Sequence, residues 1–264
     1  MCLTRIAQCR VSRVLRFFEQ RFMSKYDFAP YTNPKEPAVF FGCYRRGSGV
    51  ADLPTVLKHR GLAIVVFSGS DATQLGDNAR KLKAPNIRLV AISAFIARDL
   101  DKLGLSYTKF PVCPSTTGEV NPVPLGHDIY AYSAHGNPTF YGEPVVRRLE
   151  KRLPQFRFRV CYAEPPDCVP HEQMPRVYAK CFMGLRLVPH DGLPNTVVEL
   201  GLMGRRCVWN GDLPNALHYT DEDSIVQLIL KESARIGTVQ HDVAASVRKA
   251  LDIGDGWTYV NAWE

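Results

Sequence analysis

Short, uninterrupted apolar runs alternate with helical segments along this chain, and this alternation limits the possible folds more than any other feature. The first runs cover residues 38–44 and 62–67, and a third, interrupted only by Arg88, covers 87–92; each is bounded by turn-forming residues. Apolar runs of this length are typical of strands buried on both faces of a parallel sheet. Helices predicted at 51–59 and 93–103 follow the first and third runs. Strands that alternate with helices indicate an α/β fold with right-handed crossovers.

The alternation is interrupted once, at 113–126, where prolines, glycines and threonines cluster. Such a cluster is typical of a linker. Further predicted strands lie at 107–112, 128–132, 156–162, 184–189 and 207–209, and further helices at 143–153, 171–181, 194–203, 221–234 and 243–251. We therefore expect four regions: a basic amphipathic N-terminal helix (1–28), an N-terminal Rossmann-like domain (29–113), a linker (114–126) and a C-terminal Rossmann-like domain with C-terminal helices (127–264).

The composition excludes disordered, collagen-like and small disulfide-rich classes, because 45% of the 264 residues are hydrophobic. None of the eight cysteines has the two-residue spacing of zinc or redox motifs. We expect no metal site and reduced cysteines, which indicates the cytoplasm, or the host cytoplasm if the protein is viral. No apolar stretch reaches the roughly 18 residues of a membrane span, so no transmembrane segment is expected.

Positive charge is the one unusual feature of the composition, with a net charge of +7. It allows attraction to nucleic acid, to an anionic membrane surface or to a small anionic ligand, and solubility alone also explains it. Within 1–28, apolar residues recur at helical spacing among several arginines. This helix either docks onto a phosphate-rich surface or packs against the domain with its arginines in water.

The segment between the predicted strand 184–189 and helix 194–203 carries the clearest chemical signal. It is Asp191-Gly-Leu-Pro-Asn-Thr-Val-Val-Glu199, followed by Gly204-Arg-Arg-Cys-Val208. The unpaired N–H groups of the first helical turn, with the helix dipole, attract a phosphate or diphosphate, and a glycine in the turn permits close approach. Either acid alone has a simpler explanation, Asp191 as a helix cap and Glu199 as a solvated residue. Their joint spacing favours a ligand site.

This segment resembles the donor-binding motif of retaining GT-B glycosyltransferases, in which two acids separated by seven residues flank a Gly-Phe-Pro-Asn type of turn. The resemblance implies a GT-B-like fold of two Rossmann-like parallel-sheet domains that face a central cleft, with the acceptor side N-terminal and nucleotide-sugar binding C-terminal. It implies that Glu199 binds the donor's ribose and that Asp191 contacts donor-sugar hydroxyls, with neighbouring His190 as a second catalytic candidate. The turn that holds the diphosphate would consist of Gly192, Leu193, Pro194, Asn195 and Thr196.

The chain departs from the family pattern in two ways. Asp191 stands where the family has a glutamate, which leaves the donor sugar open. The family also places an Arg and a Lys after the first strand of the C-terminal domain, where this chain has only His135. His135 and Arg186 are therefore candidates to neutralise the diphosphate. On the N-terminal side of the cleft, the candidates are Gly42, Arg45, Arg46, Ser70 and Asp71.

These features predict an enzyme that transfers a hexosyl or pentosyl group from a UDP- or GDP-sugar to a hydroxyl, with retention and without a cofactor or metal. The Asp-x-Asp pattern of metal-dependent transferases occurs only at 99–101 and 221–223, both in predicted helices. The leading acceptor is a hydroxymethylated base in bacteriophage DNA, reached by base flipping. The alternative is a lipid-linked or lipopolysaccharide acceptor at an anionic membrane surface.

Two rival functions remain open. The first is a non-catalytic module that binds a nucleotide-sugar or nucleic acid. The second, a doubly wound dehydrogenase, is the weaker rival, because Gly47-Ser-Gly49 lacks the third glycine of the dinucleotide-binding motif.

Overall fold

The computed structural model describes residues 4–44, 52–114 and 120–264. The chain forms two compact units, each built on a parallel sheet. The first unit comprises Met1–Thr116, His190–Leu193 and Leu251–Glu264, and the second comprises Thr117–Pro189 and Pro194–Ala250. Residues 190–193 and 251–264, which the sequence predicts to lie in the C-terminal domain, belong to the first unit.

The sheet of the first unit has the strand order β2-β1-β3-β4-β5-β6, with every neighbouring pair parallel. Its strands are β1 (Gln8–Val11), β2 (Ala29–Pro30), β3 (Ala38–Phe41), β4 (Ala63–Phe67), β5 (Ile87–Ala91) and β6 (Thr108–Lys109). The helices of this unit are α1 (Glu19–Tyr26), α2 (Asp52–Lys58) and α3 (Ala94–Lys102). The predicted strands at 38–44, 62–67 and 87–92 are confirmed as β3, β4 and β5, and all three are almost completely buried.

The N-terminal segment differs from the prediction. A single amphipathic helix over 1–28 is wrong, because β1 lies inside the sheet between β2 and β3. The sequence pattern did not predict this strand because it begins with the polar residue Gln8. The Oε1 atom of Gln8 accepts hydrogen bonds from the backbone N–H groups of Thr32 and Asn33. A 3₁₀ helix follows at Arg13–Phe18, and only α1 is α-helical in the described part of this segment.

The sheet of the second unit has the order β11-β10-β9-β7-β8, again with all pairs parallel. Its strands are β7 (Asp128–Ser133), β8 (Arg157–Tyr162), β9 (Cys181–Leu185), β10 (Arg206–Val208) and β11 (Ala216–Leu217). Its helices are α4 (Glu143–Arg152), α5 (Met174–Ala179), α6 (Asn195–Leu202), α7 (Glu222–Ser233) and α8 (His241–Leu251). Side chains of β7, α4 and β9, such as Ile129, Leu149 and Phe182, form its completely buried core.

The chain order across this second sheet reverses at β7, because β8 lies on one side of β7 and β9 on the other. Such a reversal is a topological switch point, and ligands of open parallel sheets bind outside the carboxyl ends of the strands at this position. The fold therefore predicts a ligand-binding site at the carboxyl ends of β7 and β9.

A completely buried arginine supports the residues around this sheet. The Arg205 side chain donates hydrogen bonds to five backbone carbonyls and to no carboxylate. These carbonyls belong to Val123, Pro124, Tyr178, Cys181 and Met203. Burial lowers the pKa of Arg205 to about 10. One cation thus joins the segment entering the second unit to α5, β9 and the end of α6.

No helix among the described residues has the length and apolar content needed to cross a membrane.

Candidate functional site

The N-terminus of α6 lies after the carboxyl end of β9, at the switch point. Pro194 is the N-cap, and no side chain caps the first turn. Asn195 Oδ1 and Thr196 Oγ1 are buried, and neither has a hydrogen-bond partner within the described part of the chain. Val197 is already paired, because its N–H donates to the Pro194 carbonyl at 3.0 Å. The Thr196 hydroxyl can donate a hydrogen bond beside the positive end of the helix dipole, an arrangement that suits an anionic ligand.

Glu199 lies one turn into α6, and its side chain is held from two sides. It is only 6% exposed. His171 Nε2 is 2.6 Å from Oε1, and the Tyr178 hydroxyl donates to Oε2 at 2.9 Å. Burial, with the neighbouring Tyr130 and Glu199, raises the pKa of Tyr178 well above its usual range, so its hydroxyl stays protonated and can donate. The simpler explanation of Glu199 as a solvated residue is therefore wrong.

His171 and Tyr178 are the residues that the sequence analysis missed. His171 opens a 3₁₀ helix at His171–Gln173, and Tyr178 lies in α5. The predicted helix at 171–181 contains both, but α5 is shorter and ends at Ala179. Nothing in the spacing of a histidine and a tyrosine identifies a partner almost thirty residues away, so only the three-dimensional structure could reveal the pair.

Arg186 follows β9 directly and supplies positive charge at the same edge. Its guanidinium lies over the rings of Tyr132 and Tyr141, at 4.7 Å and 5.1 Å from the two centroids. Tyr132 belongs to β7, so this stacking connects the two strands of the switch point. Arginine combines aromatic stacking with bidentate hydrogen bonding to phosphate. Arg186 is thus a suitable phosphate-binding group.

His135, the other candidate for diphosphate neutralisation, follows β7. Its ring stacks on Tyr162, with centroids 4.1 Å apart and an interplanar angle of 8°. Its Nε2 lies 3.2 Å from a carboxylate oxygen of Asp167, and its backbone N–H donates to Glu164. Two carboxylates therefore lie beside His135. Negatively charged carboxylates at this position would repel an anionic ligand.

The turn that contains the first acid belongs to the first unit. His190 Nε2 lies 2.6 Å from Asp99 Oδ2 on α3. The Ser93 hydroxyl donates to the Asp191 carbonyl at 3.4 Å, and the Asp191 carboxylate accepts the N–H of Gly192 at 2.9 Å. The N-cap residue of α6 is Pro194 and not Asp191.

Gly192 and Leu193 complete this turn, and both are buried. A Cβ atom on Gly192 would lie 1.8 Å from the backbone oxygen of Ser68. Close packing against β4's carboxyl end therefore requires glycine at this position, whether or not a ligand also approaches it.

The remaining candidates on the N-terminal side occupy different environments. Gly42 ends β3 with a φ of 85°, a conformation that favours glycine. Asp71 is completely buried and accepts backbone N–H groups from both neighbouring loops, among them those of Cys43 and Gly69. Burial, opposed by these hydrogen bonds, raises its pKa to about 6. Asp71 therefore supports the loops, whereas Ser70 is exposed. Arg45 and Arg46 lie outside the described residues.

The acidic pairs of the two Asp-x-Asp patterns lie on helices. Asp99 and Asp101 lie in α3, while Asp221 caps α7 and Asp223 lies in its first turn. Across residues 4–44, 52–114 and 120–264, no group of three or more His, Cys, Asp or Glu side chains is arranged to hold a metal ion.

The two parallel-sheet α/β units define a GT-B-like fold, and similar solved structures share it. Sucrose-phosphate synthase from Thermosynechococcus elongatus is similar with a TM-score of 0.57 and 12% identity, over 89% of this chain and 73% of that one. TarM is similar with a TM-score of 0.54 and 11% identity, over 83% of this chain. An S. aureus TarM mutant in complex with Fondaparinux, alpha-GlcNAc-glycerol and UDP is similar with a TM-score of 0.53 and 10% identity, over the same 83%.

The chain spans about half the length of TarM, 52% in both structures. At 10 to 12% identity, these similarities establish the fold alone. No protein-family model matches the sequence, and a comparison with curated proteins finds no match.

Proposed function

We propose that the protein is a glycosyltransferase that moves a sugar from a nucleoside diphosphate donor to a hydroxyl acceptor, with retention of configuration and without a metal. The observation that carries the proposal is the arrangement at the carboxyl ends of β7 and β9. Three groups follow one another along the chain there. They are the stacked guanidinium of Arg186, the start of α6 and the buried carboxylate of Glu199.

Each of these groups suits one part of a nucleotide-sugar. The start of α6, with Asn195 and Thr196, and the guanidinium of Arg186 would hold the diphosphate. Glu199 would accept hydrogen bonds from the ribose hydroxyls. Asp191 would contact hydroxyls of the donor sugar, with His190 as a further catalytic candidate. The GT-B-like fold of the neighbouring structures supports this assignment, and the presence of UDP in one TarM complex makes UDP the first nucleotide to test.

The proposed chemistry depends on positioning and electrostatics. As the bond between the sugar and the diphosphate breaks, negative charge grows on the leaving group. Fixed N–H groups and a guanidinium aimed at that charge lower the barrier, because they need no reorganisation during the reaction. The acceptor hydroxyl then attacks the anomeric carbon on the face that the diphosphate leaves, its proton passes to the departing diphosphate, and the configuration is retained.

The acceptor that we propose first is a hydroxymethylated base in bacteriophage DNA, and the net charge of +7 supports it. The argument from a long basic N-terminal helix no longer applies, because part of that segment is β1. A lipid-linked acceptor at an anionic membrane is the alternative. Transfer to hydroxymethylated DNA, compared with transfer to anionic vesicles carrying a lipid-linked acceptor, separates the two. We also propose a reducing, cytoplasmic compartment; within the described residues no cysteine forms a disulfide.

The decisive experiment measures release of UDP or GDP from their sugars in the presence of each acceptor. Glu199→Ala should lower kcat/KM by more than about tenfold, because a lost hydrogen bond to a charged group is worth about 1.5–3 kcal/mol. Glu19→Ala, which removes an exposed glutamate on α1, is the matched control and should leave the rate unchanged. Equal rates in wild type and Glu199→Ala would contradict the assignment. Tight nucleotide binding without any transfer would favour the non-catalytic binding module.

A further inference from the structure

We propose that His171 and Tyr178 are positioning residues that make Glu199 selective for a ribose over a 2′-deoxyribose in the donor nucleotide. This inference rests on the proposed function, because it concerns the same nucleotide site. Neither residue belongs to the Asp191–Glu199 motif. Both act on the nucleotide only through the carboxylate of Glu199.

The Glu199 carboxylate has one hydrogen-bond donor on each of its two oxygens. It is almost completely buried on α6, and an ionised carboxylate in such a place requires hydrogen-bond donors. A carboxylate oxygen accepts, so His171 is the donor of the 2.6 Å contact with Oε1 in the tautomer that carries a proton on Nε2. The Tyr178 hydroxyl donates to the other oxygen at 2.9 Å. Each oxygen therefore has one protein donor.

Two donors on two different oxygens fix both the position and the rotation of the carboxylate plane, whereas one donor would leave the rotation free. Each carboxylate oxygen has room for about two hydrogen bonds. Within the described residues no third donor contacts Glu199, so one acceptor position remains on each oxygen. Two fixed acceptor positions side by side match the adjacent 2′- and 3′-hydroxyls of a ribose.

The surroundings make this orientation rigid. Tyr178 is 1% exposed, and its ring packs edge-on against Tyr130 with centroids 5.1 Å apart. Tyr130 is itself 1% exposed and lies in β7, at the switch point. The donor on Oε2 is therefore fixed by the core of the sheet. The donor on Oε1 comes from His171, whose side chain is 39% exposed at the start of a 3₁₀ helix.

This arrangement predicts a loss of discrimination when either donor is removed. A 2′-deoxyribose satisfies only one of the two acceptor positions, so the oriented carboxylate should favour UDP over 2′-deoxy-UDP by about tenfold or more. Without His171 or Tyr178 the carboxylate can rotate or draw in water. Binding of the ribonucleotide then weakens more than binding of the deoxynucleotide.

The test is isothermal titration of UDP and 2′-deoxy-UDP into the full-length wild type and the variants His171→Ala, His171→Gln and Tyr178→Phe. His241→Ala, which removes an exposed histidine at the start of α8, is the matched control. The readout is the ratio of the two dissociation constants. A lower folded fraction reduces the binding-competent protein for both nucleotides equally, so a purely structural defect leaves this ratio unchanged.

We expect the ratio to fall about tenfold, towards one, in His171→Ala and Tyr178→Phe. We expect partial recovery in His171→Gln, whose amide can donate, and no change in His241→Ala. An unchanged ratio in both His171→Ala and Tyr178→Phe overturns the inference, as does a wild type that binds the two nucleotides equally, and in both cases nucleotide binding itself stands. If neither UDP nor GDP binds at all, the proposed function fails first, and that outcome differs from the other two.

Discussion

Replacing Arg205 with methionine should destabilise the protein, although the change removes a costly buried charge. Two opposing effects decide the result. Burial lowers the pKa of Arg205 to about 10, so the charged side chain raises the free energy of the folded state. Removing the charge relieves this free-energy cost. Against this, five backbone carbonyls lose a donor.

The carbonyls are not equally dependent on Arg205. The Tyr178 oxygen also accepts from Lys180 N–H, and the Cys181 oxygen also accepts from Gly126 N–H. The oxygens of Val123, Pro124 and Met203 have no such second donor among the hydrogen bonds of the described residues. An unsatisfied buried polar group costs about 1–3 kcal/mol. Because Pro124 is exposed, water can replace the donor there. The two remaining losses cost about 2–6 kcal/mol, and removal of the buried charge recovers about 3 kcal/mol, so the net destabilisation should be about 1 kcal/mol and at most about 3 kcal/mol.

The assay is urea unfolding followed by circular dichroism, comparing Arg205→Met with Arg152→Met. Arg152 makes an exposed ion pair with Asp223, which should contribute less than about 1 kcal/mol. Arg205→Lys should lie between wild type and Arg205→Met, because one ammonium can serve only some of the carbonyls. If Arg205→Met is no less stable than Arg152→Met, relief of the buried charge outweighs the hydrogen bonds and our reasoning is refuted.

Three further predictions concern other residues. The pKa of Asp71 is raised from 3.8 to about 6 in the folded state, so the folded protein binds this proton more tightly than the unfolded chain does. Its contribution to stability therefore falls as the pH rises from 4 to 6. The unfolding free energy of wild type minus that of Asp71→Asn should decrease by up to about 3 kcal/mol across that range. A constant difference would contradict the raised pKa of Asp71. Gly192→Ala should lower the free energy of unfolding, measured by urea denaturation, by about 2–3 kcal/mol, because its Cβ would meet a backbone oxygen. Gly136→Ala should leave this free energy unchanged, because nothing lies within 4 Å of the Cβ that it adds. Arg186→Gln should weaken UDP binding, measured by calorimetry, about tenfold. The control Arg176→Gln, at an exposed arginine, should leave UDP binding unchanged. Equal UDP affinities of wild type and Arg186→Gln would exclude a contact between Arg186 and the diphosphate.

Sequence patterns predicted the buried strands well because these strands consist of continuous apolar runs. The strand predicted at 128–132 is confirmed as β7, and the helix predicted at 194–203 as α6. The strand predicted at 184–189 starts earlier, at Cys181, which was assigned to the end of the preceding helix, and it ends at Leu185. Short apolar runs do not by themselves distinguish a helix end from a strand start.

The elements that were missed contain polar residues with tertiary partners. β1 was hidden because Gln8 and Arg10 interrupt its apolar pattern, and their partners, in the loop after β2 and at Asp52, are distant in sequence. The same limit applies to the site. The Asp191–Glu199 spacing identified a candidate segment, but the contacts of Glu199 with His171 and of His190 with Asp99 depend on the fold.

The most direct test of the central claim is a crystal structure of the protein with UDP or GDP bound. Our account predicts the diphosphate at the N-terminus of α6 within hydrogen-bonding reach of Arg186, and ribose hydroxyls on the Glu199 carboxylate. A nucleotide bound elsewhere, or one whose ribose does not reach Glu199, would contradict it.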